Sequence, residues 1–252
     1  MNTAILITVR TGSTRLPGKS LLKINGKSTI EHLITRVKKS KLACKIILCT
    51  TVLPEDDILY DISKKHNILC YRGSVKDKLQ RWEGACKKHN IEFFITADGD
   101  DLFCEPKLID LAFRQYKNTQ ADFIKSDKLI CGSFTYGIKS SALSKVCQIK
   151  NTNDTEMMWP YFTDTGLFKV ENLQNTPLQF QRNDIRMTLD YEDDFLFFKK
   201  IIEHFSQKEF DLFDIVYYID TNPEIKKINF YLEEKWKSNQ VAKTKLILKD
   251  DK

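Results

Sequence analysis

Residues Arg10-Thr11-Gly12-Ser13-Thr14-Arg15-Leu16-Pro17-Gly18-Lys19-Ser20 nearly spell a phosphate-binding P-loop, and the way they miss it decides how the chain is read. A Walker A loop runs G-x-x-x-x-G-K-[ST], whereas five residues separate Gly12 from Gly18. Pro17 departs further, because it has no backbone N–H for a phosphate oxygen and fixes φ in a motif that wraps phosphate in consecutive N–H groups. What remains is three cations, Arg10, Arg15 and Lys19, around two glycines and a proline. Cations this crowded repel one another unless an anion lies among them. The loop therefore reads as an anion grip made of side chains, with a charge that suits a triphosphate, while a P-loop kinase or ATPase would need the register that is broken here.

The flanks place this grip. Before it, Ala4-Ile5-Leu6-Ile7-Thr8-Val9 is the apolar run of a buried strand. After it, Ser28 and Glu31 form a capping-box pattern, with Ile30, Leu33, Ile34 and Val37 on one helical face and Lys38, Lys39 and Lys41 at the far end. A loop between a first strand and a first helix lies outside the carboxyl ends of the strands, where α/β sheets bind ligands.

The alternation continues with strands expected at 45–50, 68–71 and 92–96 and helices over 56–66 and 74–89. Lys64-Lys65-His66-Asn67-Ile68 recurs as Lys87-Lys88-His89-Asn90-Ile91. Such a segment is a helix end, with cations at the negative pole of the dipole and Asn taking a left-handed turn. His66 and His89 are thus helix-end residues, and His32 and His204 receive no role. Beyond 120, strand candidates at 122–125, 133–138 and 185–189 and an aromatic-rich segment at 157–162 suggest a mixed sheet with an elaboration. The reading is one domain over 1–228, followed by a C-terminal helix and tail over 229–252 whose last residues fray.

At 252 residues and 42% hydrophobic, the chain can build a sizeable core. A net charge of +6 is spread along it, and no basic arm with interleaved aromatics argues for nucleic acid. The seven cysteines contain no C-x-x-C pair, so they read as core residues of a reducing compartment, and no segment approaches a membrane span. The cytoplasm is the expected location.

Two acidic stretches complete the pattern. Thr96-Ala97-Asp98-Gly99-Asp100-Asp101 follows the fourth strand, its glycine allowing a sharp turn beside the basic loop. Acids next to a phosphate site make sense with a metal, and Mg2+ takes one or two carboxylates plus phosphate oxygens and water; one of these aspartates is the natural ligand, although D-G-D is also a common turn. Met187-Thr188-Leu189-Asp190 ends another candidate strand in an acid, which offers Asp190 as a second ligand or as a helix cap, while Glu192, Asp193 and Asp194 look like first-turn acids.

Together these residues resemble the cytidylyltransferases that make CMP-activated acidic sugars. The opening Val9-Arg10-Thr11-Gly12-Ser13-Thr14-Arg15-Leu16-Pro17-Gly18-Lys19 is similar to their R-x-x-S-x-R-L-P-G-K signature, most of all in the branch typified by the spore-coat polysaccharide biosynthesis protein, with the Kdo and acylneuraminate enzymes as cousins. Thr50-Thr51, Tyr71-Arg72-Gly73-Ser74, Glu105-Pro106, Glu156 with Pro160-Tyr161, and Thr188-Leu189-Asp190 look like family landmarks in the family's order.

The resemblance implies a three-layer α/β/α nucleotide-diphospho-sugar transferase (GT-A-like) fold with a mixed, mostly parallel sheet, and usually a homodimer. It implies CTP as donor, a small sugar or sugar acid as acceptor, and pyrophosphate as leaving group. Carried over, Arg10, Arg15 and Lys19 are catalytic. Val9, Arg10, Gly12, Ser13, Arg15, Lys19, Thr50, Thr51, Arg72, Gly73, Ser74 and Asp98 bind the nucleotide, and Asp100 and Asp190 hold Mg2+. Met157 stands where the family carries His, in the region the acceptor approaches. Two other readings of the same fold are a nucleotide-binding protein without catalysis and a glycosyltransferase using Asp98-Gly99-Asp100 as its D-x-D.

Overall fold

The apolar run that opens the chain forms β1 (Thr3–Thr8), and in the computed structural model, which describes residues 2–206 and 208–249, a seven-stranded sheet grows outward from it. β4 (Lys45–Thr51) lies parallel on one side of β1 and β6 (Phe93–Asp98) parallel on the other. β5 (Leu69–Gly73) extends the sheet beyond β4, again in parallel. Past β6 come β8 (Gly137–Lys139), antiparallel to β6 and to β7 (Phe123–Lys125), and then β9 (Val170–Asn172), parallel to β7. The short hairpin β2 (Lys23–Ile24) and β3 (Lys27–Ser28) stands apart from the sheet.

Period-two alternation divides the core into two layers. Ile5 and Ile7 of β1 join Leu48, Phe93 and Ile95 on the face covered by α1 (Thr29–Val37), α2 (Asp57–Lys65), α4 (Pro106–Thr119), α7 (Glu192–His204) and α8 (Leu212–Thr221). Ala4 and Leu6 join Ile47, Cys49 and Phe94 on the face covered by α3 (Lys78–His89), α5 (Ser140–Ile149) and α6 (Pro160–Thr163). This is the expected α/β/α sandwich.

The chain steps from β1 to β4 and β5 in one direction, then α3 carries it back across the other face to β6. The carboxyl ends of β1 and β6 therefore flank the point where strand order reverses, the place at which open α/β sheets form a ligand crevice. Thr8 and Asp98 are register partners at that edge.

Local signals behaved as their chemistry requires. Ser28 and Glu31 form the capping box of α1, and Asn67 and Asn90 take φ of 50° and 54° after α2 and α3. α3 starts at Lys78, four residues later than expected, because Asp77 caps it by accepting from Gln80 N. Three corrections concern strands. Within the 133–138 segment the ladder with β6 starts at Gly137, preceded by a single bond from Thr96 N to Tyr136 O at 2.8 Å. Residues 185–189 are not a sheet strand, since Arg186 makes a single bridge to Cys131. β9 and the hairpin were not foreseen, although Asn25-Gly26, with φ of 48° and 78°, is the dipeptide a two-residue hairpin demands.

α9 (Pro223–Lys227) leads to α10 (Glu233–Lys243), and the segment that follows is docked as far as Lys249. Asn151 N donates to Ile247 O at 2.8 Å and Lys249 N to Ile149 O at 2.8 Å. The last residues, 250–252, where fraying was expected, lie outside the described residues. Among the described residues no helix is long and apolar enough to cross a membrane.

Candidate active site

The reversal point opens into a cavity of about 870 Å³. Its floor comes from the ends of β1 and β6, one wall from the 9–20 loop, and another from α10. Gly18 takes φ of 64°, a left-handed turn that starts a short 3-10 turn at Lys19–Leu21 and aims the Lys19 side chain inward.

Lys19 is where the distant acids meet. Its Nζ donates to Asp100 Oδ2, Asp190 Oδ1 and the Leu189 carbonyl, each at 2.8 Å. Arg15 Nη2 donates to the same Asp190 oxygen at 2.7 Å. Burial works against the Lys19 charge, yet the two carboxylates outweigh it and raise its pKa. Burial also works against the Asp190 charge, and Lys19 and Arg15 reverse that effect, holding its carboxyl below the usual range.

Acids and bases pair across the whole cavity. Lys78 Nζ lies 3.2 Å from Asp98 Oδ1 and over the Trp82 ring, whose indole N–H donates to Thr8. Arg10 Nη2 lies 3.6 Å from Glu156. Burial, reinforced by Asp100 and Asp98, pushes the Asp101 carboxyl well above the usual range. The glycine of the Asp98-Gly99-Asp100 turn has a reason the sequence hid. A Cβ there would come within 2.8 Å of the Val9 side chain and 3.1 Å of Thr8 O, so Gly99 is set by close packing between the ends of β1 and β6 and not by a left-handed turn.

Of the residues expected at the site, Val9, Arg10, Gly12, Ser13, Arg15, Lys19, Asp98 and Asp100 line the cavity, and Asp190 lies directly behind Lys19. Thr50, Thr51, Arg72, Gly73 and Ser74 do not line it. Thr51 is fully buried and donates to Asp56, which also accepts from Thr11 N, so this segment braces the back of the basic loop. Arg72 donates to the carbonyls of Thr51 and Leu53 and to Asp57, holding the turn after β4. Sequence reasoning missed Lys78 and Arg81 of α3 and the face of α10, all on the cavity. The Asp77 cap could have marked Lys78 as first-turn, but nothing local tells where α10 returns.

The residues present fit Mg2+. Two carboxylates from separate segments converge on Lys19, and Asp190 Oδ2 is buried without a hydrogen bond, with Arg186 Nη2 at 3.9 Å. Two hard oxygen ligands, one of them Asp100 on the cavity wall, are the kind of donor this ion takes together with phosphate oxygens and water, as distinct from a dedicated protein cage.

The chain's likeness to known proteins follows the same elements. Residues 4–228 match the cytidylyltransferase family. An uncharacterized protein of Methanocaldococcus jannaschii is 32% identical over 232 residues, covering 91% of this chain and 95% of its own. The spore coat polysaccharide biosynthesis protein of Bacillus subtilis is 22% identical over 227 residues, 87% of this chain and 94% of its own. A solved cytidylyltransferase from Leptospira borgpetersenii superposes with a TM-score of 0.82 at 28% identity, covering 89% of this chain and 96% of that one. With that match running from β1, through the basic loop and the acidic turn after β6, to Asp190 and α7, the chain belongs to the cytidylyltransferase family and is a nucleotidyltransferase.

Proposed function

We propose that the enzyme transfers the cytidylyl group of CTP to an oxygen of a small sugar or sugar-acid acceptor and releases pyrophosphate, as a step in making a surface polysaccharide or glycan. On the same family likeness we read it as a cytoplasmic homodimer. The observation that carries the proposal is the convergence of Asp100, on the cavity, and Asp190, behind it, on Lys19. A cation held by two acids at the mouth of a basic loop is a site prepared for a polyanion that arrives with a divalent metal.

The chemistry needs positioning and charge neutralisation, not a covalent protein intermediate. Arg10 and Ser13, on the cavity wall, hold the triphosphate, and Val9, Gly12 and Asp98 border the nucleotide. Asp100 and Asp190 would hold Mg2+, which when bound would supply positive charge beside the phosphates. Lys19 and Arg15 then exchange carboxylate for phosphate oxygens and stabilise the charge that builds on the departing pyrophosphate. Lys78, paired with Asp98 at rest, is a further cation within the same cavity.

The test is pyrophosphate release with each nucleoside triphosphate and Mg2+, against a panel of neutral, acidic and phosphorylated sugars. CTP with an acidic or phosphorylated sugar should give a CMP conjugate and stoichiometric pyrophosphate. Nucleotide consumption that is indifferent to acceptor would refute the transfer.

A further inference from the structure

The cavity has a wall outside the segment shared with the family. The family match ends at residue 228, whereas α10 begins at Glu233 and contributes Trp236, Lys237, Gln240, Val241 and Lys243 to the lining. Spacings of three and four put Trp236, Gln240 and Lys243 on one helix face, with Lys237 beside them.

This helix is tied at both ends. Glu233 accepts from Arg186 Nη1 at 3.1 Å, and Arg186, itself fully buried and held by Asp194, lies 5.1 Å from the centroid of the Trp236 ring. Asn239 donates to the Tyr191 hydroxyl at 3.3 Å. Beyond the helix, Ile247 and Lys249 are bonded to the backbone at 149–151. An ordinary solvated helix needs no such fastening, so α10 is a fixed wall, joined through Arg186 to the segment that carries Asp190.

Its charge also differs from that of the basic loop. Arg10, Arg15, Lys19 and Lys78 each have a carboxylate partner in or behind the cavity. Lys243 has no such partner among the described residues, and Lys237 pairs only with Glu233 of its own helix, already engaged by Arg186. Lys76 and Arg81, on the α3 side of the cavity, likewise lack a carboxylate ion pair among the described residues, Arg81 donating to the Ser74 carbonyl. The two lysines and the amide of α10 are thus a second, separate group of cavity donors, away from the paired cations of the nucleotide loop. A volume of about 870 Å³ lies in the upper part of the range for ligand sites.

Resting on the cytidylyl-transfer reading above, we propose that α10 selects the acceptor: Lys237, Gln240 and Lys243, beside the pinned Trp236 ring, hold the anionic group of a monosaccharide that carries a carboxylate or a phosphate.

The experiment compares the wild type with the Lys237→Ala/Lys243→Ala double variant in steady-state pyrophosphate release, using CTP with neutral sugars, sugar acids and sugar phosphates. Both lysines are exposed, so melting curves should coincide. For whichever anionic class is used, the acceptor KM should rise roughly tenfold or more, the scale of losing a charge-assisted contact, while kcat and the CTP KM stay within about threefold. Wild-type acceptor KM should also climb with salt, and that dependence should weaken in the variant. An unchanged acceptor KM, or equal rises for acceptor and CTP, overturns the role of α10 while leaving the transfer reading standing. A wild type that turns over CTP with no acceptor at all defeats the transfer reading and this inference with it.

Discussion

Lys19 satisfies two carboxylates and a carbonyl with one ammonium, and that arrangement answers the puzzle of a loop too basic to be stable alone. The sequence made plain that an anion must lie among Arg10, Arg15 and Lys19. It did not reveal that, before any ligand arrives, the anions are the protein's own Asp100 and Asp190, because nothing in local spacing reports contacts 81 and 171 residues apart. Replacing Lys19 or Asp100 with alanine should lower turnover at least about a hundredfold, the cost of one preorganised charge contact being about 2.7 to 4 kcal/mol. Circular dichroism should show both variants folded, and near-wild-type turnover in either would remove the assigned role. Gly99 offers a second residue-scale check. Gly99→Ala should destabilise the fold by about 1–3 kcal/mol through overpacking. Adding Val9→Ala should restore only part of that in denaturant titrations, since Val9 Cβ itself lies 2.8 Å from the new methyl carbon.

At the scale of elements, capped helix termini were the most legible features and the joints between distant elements the least. The capping box at Ser28 and the left-handed Asn67 and Asn90 follow from a few neighbouring residues, so they can be read from the chain. The 185–189 segment could not: its apolar-then-acidic pattern is that of a strand, yet Arg186 is drawn out of the sheet to become a fully buried hub for Asp194, Glu233 and Trp236. Arg186→Met should cost about 3–5 kcal/mol, because it strands two acids in a dry interior. Glu31 gives a pH signature. Burial opposes its charge, but hydrogen bonds from Lys65, Ser28 and His66 outweigh burial and hold its carboxyl below the ordinary 4.5. A carboxyl depressed on folding contributes stability that is present above its unfolded value and fades as pH falls through the folded one. The melting-temperature advantage of the wild type over Glu31→Gln should therefore be largest near neutrality and shrink below about pH 4.5, and a pH-independent gap would contradict this account.

Taken as a whole molecule, the fold puts its site where strand order reverses. The succession of strands and helices was legible because each carries its own periodicity, whereas the order of β4, β1 and β6 in the sheet was not, since it depends on pairing between distant segments. The crevice at the β1 and β6 ends, the basic loop and the acidic turn were all visible before the fold was. Among the segments assigned to the nucleotide by likeness, Thr51 donates to Asp56 and Arg72 to Asp57 behind the loop, and neither these two nor Thr50, Gly73 and Ser74 line the cavity. The reverse holds for α10, whose place on the cavity depends on a buried arginine far earlier in the chain. The central claim is that one bond, between the α- and β-phosphates, breaks while the cytidylyl group moves to the acceptor. It is tested most directly by running the reaction in parallel with CTP labelled at the α- or the γ-phosphorus. The α-label should appear in the sugar product and the γ-label in pyrophosphate; γ-label in a phosphorylated sugar or in free phosphate would contradict it.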